Sequence, residues 1–275
     1  MNNTVVRTIY GVIFLLVMIA GMLLHPLAYC ALALFAMEVM LWEFFRMSIG
    51  TDLPLQRILA MITAAVAFSA VMGTAWLGIS PVWTGCALLL LLVTFASSYF
   101  GAAQREHFHK LAYICAGLLY IGIPIVLSPF AMFRNGVFDG RLLLSCFIVI
   151  WSTDVGGYCF GLLFGKNGKK LFPEVSPKKS WAGFWGGLAM ALASAWIMKA
   201  AGLIDFPLLH CLVAAAIMSV FGVLGDLFES EWKRSFGVKD SGNIIPGHGG
   251  LMDRFDSALF AIPAGIIYLV FIGLI

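Results

Sequence analysis

Charge is scarce in this sequence. Asp, Glu, Lys and Arg make up 11% of its 275 residues, against about a quarter in an ordinary soluble domain. A soluble domain of this size must keep enough polar residues to face water. With 61% hydrophobic residues and a mean hydropathy of +0.98, this chain does not have them. Also missing are the alternating strands of about ten residues that mark a membrane barrel; the apolar runs are long and unbroken instead. Backbone amides in lipid must be paired internally, so such runs point to helices. No Gly/Ser linker, low-complexity tract or convincing internal repeat interrupts the chain. None of the six cysteines (Cys30, Cys86, Cys115, Cys146, Cys159 and Cys211) stands in a C-x-x-C pair, and each lies in or beside an apolar stretch. That pattern suits reduced, buried thiols and argues against a disulfide framework. The apolar run after Arg7 imitates a secretory signal, but it lacks a clear small-residue cleavage site and a second run follows at once. A retained first span is expected.

A helix needs about 20 mainly apolar residues to cross a bilayer. Runs near 8–24, 27–45, 58–77, 82–100, 111–133, 142–164, 181–198, 206–228 and 257–274 meet that description. The expected fold is all-α, a polytopic integral membrane protein with about nine transmembrane helices. The basic residues support the alternation. With nine spans, one side holds Arg7, Arg46, Arg57, Arg105, Lys110, Lys166, Lys169, Lys170, Lys178, Lys179, Lys233, Arg234, Lys239 and Arg254. The other holds Arg134, Arg141 and Lys199. Lys and Arg concentrate on the cytoplasmic side, so the N-terminus is expected inside and the C-terminus outside. Residues 1–140 read as anchoring and packing spans. Residues 141–275 read as a catalytic region with cytoplasmic loops over 165–180 and 229–256.

The chemistry concentrates in those two loops. Asp226 ends an otherwise apolar run, and a carboxylate near membrane depth is costly unless paired or bound to a cation. On a helix Asp226, Glu229, Ser230, Lys233 and Arg234 share one face, where surface ion pairs are the plainer alternative. From Lys239 to Gly250 the residues Gly242, Pro246, Gly247, Gly249 and Gly250 break any helix. Around His248, the glycines let backbone amides approach an anion such as phosphate, with Lys239 and Arg254 flanking. Asp253 and Asp256 are three apart at the start of the last span. That spacing suits the helix macrodipole, and it equally suits Mg²⁺, which takes one or two carboxylates plus substrate phosphates. The run from Lys166 to Ser180 reads either as a basic loop against anionic lipid or as a phosphate clamp of Ser176, Lys178, Lys179 and Ser180. Asp154, beside Gly156 and Gly157, is an intramembrane carboxylate of the kind that faces a site. Glu38 and Glu43 in the second span can line a polar cavity but receive no role.

The ordered run Ser230, Lys233, Arg234, Lys239, Asp240, Gly242, Ile245 to Gly250, Asp253, Arg254 and Asp256 resembles the signature of phosphatidate cytidylyltransferases, also called CDP-diacylglycerol synthases. Asp154, Ser176 to Ser180 and Gly183 are similar to that family as well. Ser180 stands where the family commonly has Thr, and Ala182 where it has Glu, so position 182 receives no role. The specific resemblance covers roughly residues 150–257.

The resemblance implies an enzyme dependent on Mg²⁺, with CTP and phosphatidic acid as substrates, membrane lipid around it, a homodimer and no nucleic-acid partner. It implies metal ligands at Asp226 and Asp253, with Asp256 and Asp240 in support. Lys233, Arg234, Lys239 and Arg254 would neutralise triphosphate, and His248, Gly249 and Gly250 would contact phosphate. Ser230 joins that face. Asp154, Ser176, Lys178, Lys179 and Ser180 would hold lipid phosphate or nucleotide. An anion transporter is the rival of another class. It is disfavoured because the charge lies at the membrane margin and no repeat is visible. A related enzyme using an isoprenoid phosphate is the nearer rival.

Overall fold

The computed structural model describes residues 3–99, 108–134, 136–166, 168–247 and 249–275. The elements in chain order are α1 (Asn3–Leu23), α2 (Pro26–Ser48), α3 (Pro54–Leu77), α4 (Thr84–Ser97), α5 (Phe108–Ala131), β1 (Phe133–Arg134), β2 (Val137–Phe138), α6 (Arg141–Phe164), β3 (Lys170–Phe172), β4 (Ser176–Ser180), α7 (Trp181–Ala200), α8 (Leu208–Ser235) and α9 (Met252–Phe271). The protein is an all-α polytopic membrane protein. Its strands form only two small antiparallel hairpins among the described residues.

Among the described residues seven helices are long and apolar enough to cross a membrane: α2, α3, α5, α6, α7, α8 and α9. The other two expected spans correspond to shorter apolar helices, Thr8–Leu23 and Pro81–Ser97. The first hairpin carries the polar turn between α5 and α6. The second occupies the stretch expected as an irregular basic loop.

The chain divides into two compact units. One holds the described residues up to Phe138 together with Asp240–Asp253; the other holds Asp139–Lys239 with Arg254–Ile275. In the first, α2 carries the largest set of wholly buried side chains. It starts where Pro26 supplies a fixed φ and the His25 ring accepts the Leu27 N–H at 3.1 Å, a side-chain cap for a donor the helix cannot satisfy itself. Its Met37, Met40, Leu41, Phe44 and Phe45 are wholly buried, beside Phe68 of α3 and Ile114 and Ile121 of α5. Large exposed apolar side chains such as Leu16, Leu88 and Leu89 face outward, as lipid-facing surface requires.

In the second unit α6 and α7 meet through glycine. A Cβ on Gly156 would lie 2.7 Å from the Gly186 carbonyl oxygen, and one on Gly183 would lie 2.7 Å from that of Gly157. Association in lipid depends on such close backbone contact between small residues, because apolar burial supplies no drive there. The contact brings the middle of α6, with Asp154, against the start of α7.

Candidate active site

A cavity of about 330 Å³ opens in the second unit. Asp154 and Tyr158 of α6, Lys178, Lys179 and Ser180 of β4, Phe184 of α7 and Asp226 of α8 line it, with Leu171 and Ser257. The hairpin aims the basic residues. β3 and β4 pair Lys170 with Ser180 and Phe172 with Ser176, so the chain doubles back and delivers Lys178 and Lys179 immediately before α7. Ser180 ends that delivery: its hydroxyl accepts the Gly183 N–H at 3.2 Å and caps α7. Such a cap contributes about 0.5–2 kcal/mol.

Lys179 and Asp226 form an ion pair at 2.5 Å, and the Ser230 hydroxyl donates to the other Asp226 oxygen at 3.3 Å. Asp226 also repels Asp154 and Asp256, and Asp154 repels Asp256; Lys179 attracts both of these, and Arg254 attracts Asp154. Gly225 explains how two of these acids come together. A Cβ there would lie 2.5 Å from the Asp256 carbonyl oxygen, so only glycine lets α8 and α9 approach at the level of the next residue, Asp226. Asp256 accepts the Ser257 N–H at 2.6 Å.

The remaining basic residues of this unit have varied settings. Helix α8 runs to Ser235, well past the expected end of its span, and so carries the whole polar face from Asp226 to Arg234. Lys233 pairs with buried Glu229 at 2.6 Å, one turn earlier. The Arg234 guanidinium donates to the Val238 carbonyl at 3.3 Å, beyond the helix end. Lys178, Arg254 and Lys239 are exposed. Ser176 is half-buried in β4 and is not among the residues lining the cavity.

The glycine-rich loop belongs to the first unit and is organised around two carboxylates. Asp253 accepts the Gly250 N–H at 2.8 Å, the Ser241 N–H at 3.0 Å and the Ser241 hydroxyl at 3.0 Å. Glu43, wholly buried on α2, accepts the Leu251 N–H at 3.0 Å and the Met252 N–H at 2.9 Å. The Ser241 hydroxyl also lies 3.3 Å from Glu43. The glycines are where they are because these carboxylates leave no room. A Cβ on Gly242 would meet Glu43 at 2.3 Å, and one on Gly250 would meet Ser241 Oγ at 2.2 Å. Gly249 has φ of 85°, a left-handed conformation that suits glycine, and its C=O accepts the Ile245 N–H at 3.1 Å. Asp240 is exposed. His248 lies outside the described residues.

Sequence reasoning assigned Glu43 nothing. The one available signal was a carboxylate in an apolar helix, which marks a role without naming it. Tyr158 and Phe184, which give the cavity its aromatic lining, carried no sequence signal at all.

The donor chemistry suits Mg²⁺. Among the described residues no group of three or more His, Cys, Asp or Glu side chains is arranged to hold a metal ion by itself. Mg²⁺ does not require one, since it typically takes one or two carboxylates and completes its shell with substrate phosphates and water. The mutually repelling Asp226 and Asp256 are hard oxygen donors of that kind.

Comparison with known proteins gives a consistent result. The model of a family described as the cytidylyltransferase family matches residues 5–272. A phosphatidate cytidylyltransferase of Bacillus subtilis is 40% identical over 187 residues, covering 68% of this chain and 67% of that protein. Proteins of the same name from Staphylococcus haemolyticus and Staphylococcus epidermidis are 44% and 40% identical, each match covering 58% of this chain and 59% of the relative.

Proposed function

The chain belongs to the cytidylyltransferase family, and from that premise we propose that it transfers CMP from CTP to phosphatidic acid, giving CDP-diacylglycerol and pyrophosphate. The observation that carries the reading is the lining of the cavity in the second unit: acids and lysines share it with Tyr158, Leu171 and Phe184. A polyphosphate needs the first kind of surface, and a lipid substrate needs the second. The names of the Bacillus and Staphylococcus relatives support the same assignment.

In this reaction a phosphate oxygen of phosphatidic acid attacks the α-phosphorus of CTP. The bond from that phosphorus to the bridging oxygen breaks, and pyrophosphate leaves. No side chain acts as nucleophile, because the lipid phosphate is one already. The protein's part is positioning and neutralising charge. Lys178 and Lys179 carry positive charge to the cavity, and Arg254 adds a longer-range attraction for Asp154. Lys233, Arg234 and Lys239 supply further charge for the triphosphate, and Ser230 orients Asp226. Ser180 holds the start of α7 in place, so its hydroxyl serves the site through the backbone; Ser176 supports the hairpin.

Asp226 and Asp256 are the carboxylates proposed for Mg²⁺, and the resemblance adds Asp253, one turn before Asp256 on the same helix. When bound, the ion withdraws charge from the phosphate oxygens. For His248, Gly249 and Gly250 the support is the sequence resemblance, which gives them phosphate contacts, and the same resemblance puts Asp240 in support of the metal ligands. The distribution of Lys and Arg supports a cytoplasmic site, the bacterial relatives support an inner membrane, and the resemblance supports a homodimer.

The test is pyrophosphate release by the purified protein in detergent, omitting CTP, Mg²⁺ and phosphatidic acid in turn. Release that needs all three, with a CMP-bearing lipid as product, is the expected result. Turnover with an isoprenoid phosphate in place of phosphatidic acid would replace the lipid assignment.

A further inference from the structure

Glu43 is far in sequence from its hydrogen-bond partners among the described residues. Its partners Ser241, Leu251 and Met252 lie 198, 208 and 209 residues away. A carboxylate only accepts hydrogen bonds, and all three partners are donors. Two of them, Leu251 N–H and Met252 N–H, stand at the start of α9, where backbone donors have no helical partner and negative charge is favoured. The third is a hydroxyl with a single hydrogen, placed 3.3 Å from Glu43 and 3.0 Å from Asp253. That hydroxyl donates to one carboxylate at a time, so the settings of Glu43 and Asp253 are linked. Gly242 and Gly250 lack the Cβ that would strike Glu43, so the loop wraps this carboxylate closely. The cost of burying an acid in a span is met by a shell of donors that all come from one segment, 241–252.

We propose that Glu43 is a positioning residue: through Ser241 and the Leu251 and Met252 amides it fixes the loop 240–252 and thereby aims the Asp253 carboxylate. The proposal rests on the proposed reaction only in giving Asp253 a metal to hold. Both Glu43 carboxylate oxygens are taken up by donors of this loop, so Glu43 acts through the loop. Groups that orient a metal ligand in this way typically change metal affinity or activity by about 10- to 100-fold when altered.

Glu43→Gln keeps the shape and replaces one acceptor oxygen by a donor that clashes with an N–H. In hydrogen–deuterium exchange on the detergent-solubilised protein, the amides of 241–252 should exchange about 10-fold faster or more, with α2, α3 and α5 unchanged. In the assay, the Mg²⁺ concentration for half-maximal pyrophosphate release should rise by about 10- to 100-fold, with KM for CTP changing less. Glu43→Asp, which keeps the charge on a shorter arm, should recover part of the loss. Unchanged exchange over 241–252 would overturn the proposal, and so would faster exchange spread throughout α2, α3 and α5, which is the mark of a purely structural acid.

If the Gln variant does not fold, Ser241→Ala takes its place. It leaves both amide bonds of Glu43 and removes the shared hydroxyl, so the Mg²⁺ requirement should rise several-fold; an unchanged requirement overturns the link. The exchange measurement needs no substrate. Localised deprotection in a protein whose wild type makes no CMP-lipid would therefore refute the reaction and leave the positioning intact. A working enzyme without that deprotection would refute the positioning alone.

Discussion

Asp154, Asp226 and Asp256 repel one another beside a cavity, with the side chains of Lys179 and Arg254 as their counter-charges. Glu43 and Asp253 are instead wrapped in backbone N–H groups and one serine hydroxyl. The charged group is the same and the physics is opposite. Carboxylates bonded to backbone amides shape the chain, and their negative charge is dispersed over donors that cannot leave. Carboxylates that face one another are held together by packing, here by glycine at Gly225, and their repulsion is relieved by any cation that arrives. An intramembrane acid is therefore not one kind of signal. Its surroundings decide whether it is held in place by the donors of one segment or held against its own repulsion by packing.

The sharpest way to break this comparison is to remove Asp226. Asp226→Ala should lower pyrophosphate release by about 100- to 1,000-fold, the scale of losing a main electrostatic contact to the reacting group, while the protein stays inserted in the membrane. Retained turnover would end the assignment of this carboxylate. Lys179→Ala should cost about 10-fold or more in turnover, yet lower the Mg²⁺ concentration needed, because a competing cation has left Asp226. A raised Mg²⁺ requirement would mean that Lys179 helps the metal site instead of sharing its acids.

On the amide-wrapped side, Gly250→Ala places a Cβ against Ser241 and Glu43 and should destabilise the protein by about 1–3 kcal/mol, read as a lower thermal midpoint in detergent. The smallest effect sharpens the role of one hydroxyl. Ser180→Ala removes the cap of α7 and should cost about 0.5–2 kcal/mol of stability with KM for both substrates unchanged. A large rise in KM with unchanged stability would make Ser180 a substrate ligand.

The spans were legible because hydropathy is a local property. The helices found match the expected runs, and among the described residues seven of them are long and apolar enough for a full crossing. The polar face from Asp226 to Arg234 was legible for the same reason, since helical spacing alone puts those residues together. The second hairpin was not. Pro173 and Pro177 and two short strands look like loop, and only the pairing of Lys170 with Ser180 turns them into structure. Nor could the sequence pair Lys179 with Asp226, or Glu43 with a segment some 200 residues on, because such contacts exist only once helices are packed. The glycines of the 242–250 loop suggested room for an external anion. At Gly242 and Gly250 the anions closest to the chain are its own.

The claim that the cavity acids hold the metal is tested most directly by Mn²⁺ binding, followed by electron paramagnetic resonance on the purified protein with CTP present. The account predicts that the wild-type protein and Ser180→Ala bind Mn²⁺ alike and that Asp226→Asn loses most of that binding. Full binding by Asp226→Asn would contradict it and move the metal away from these carboxylates.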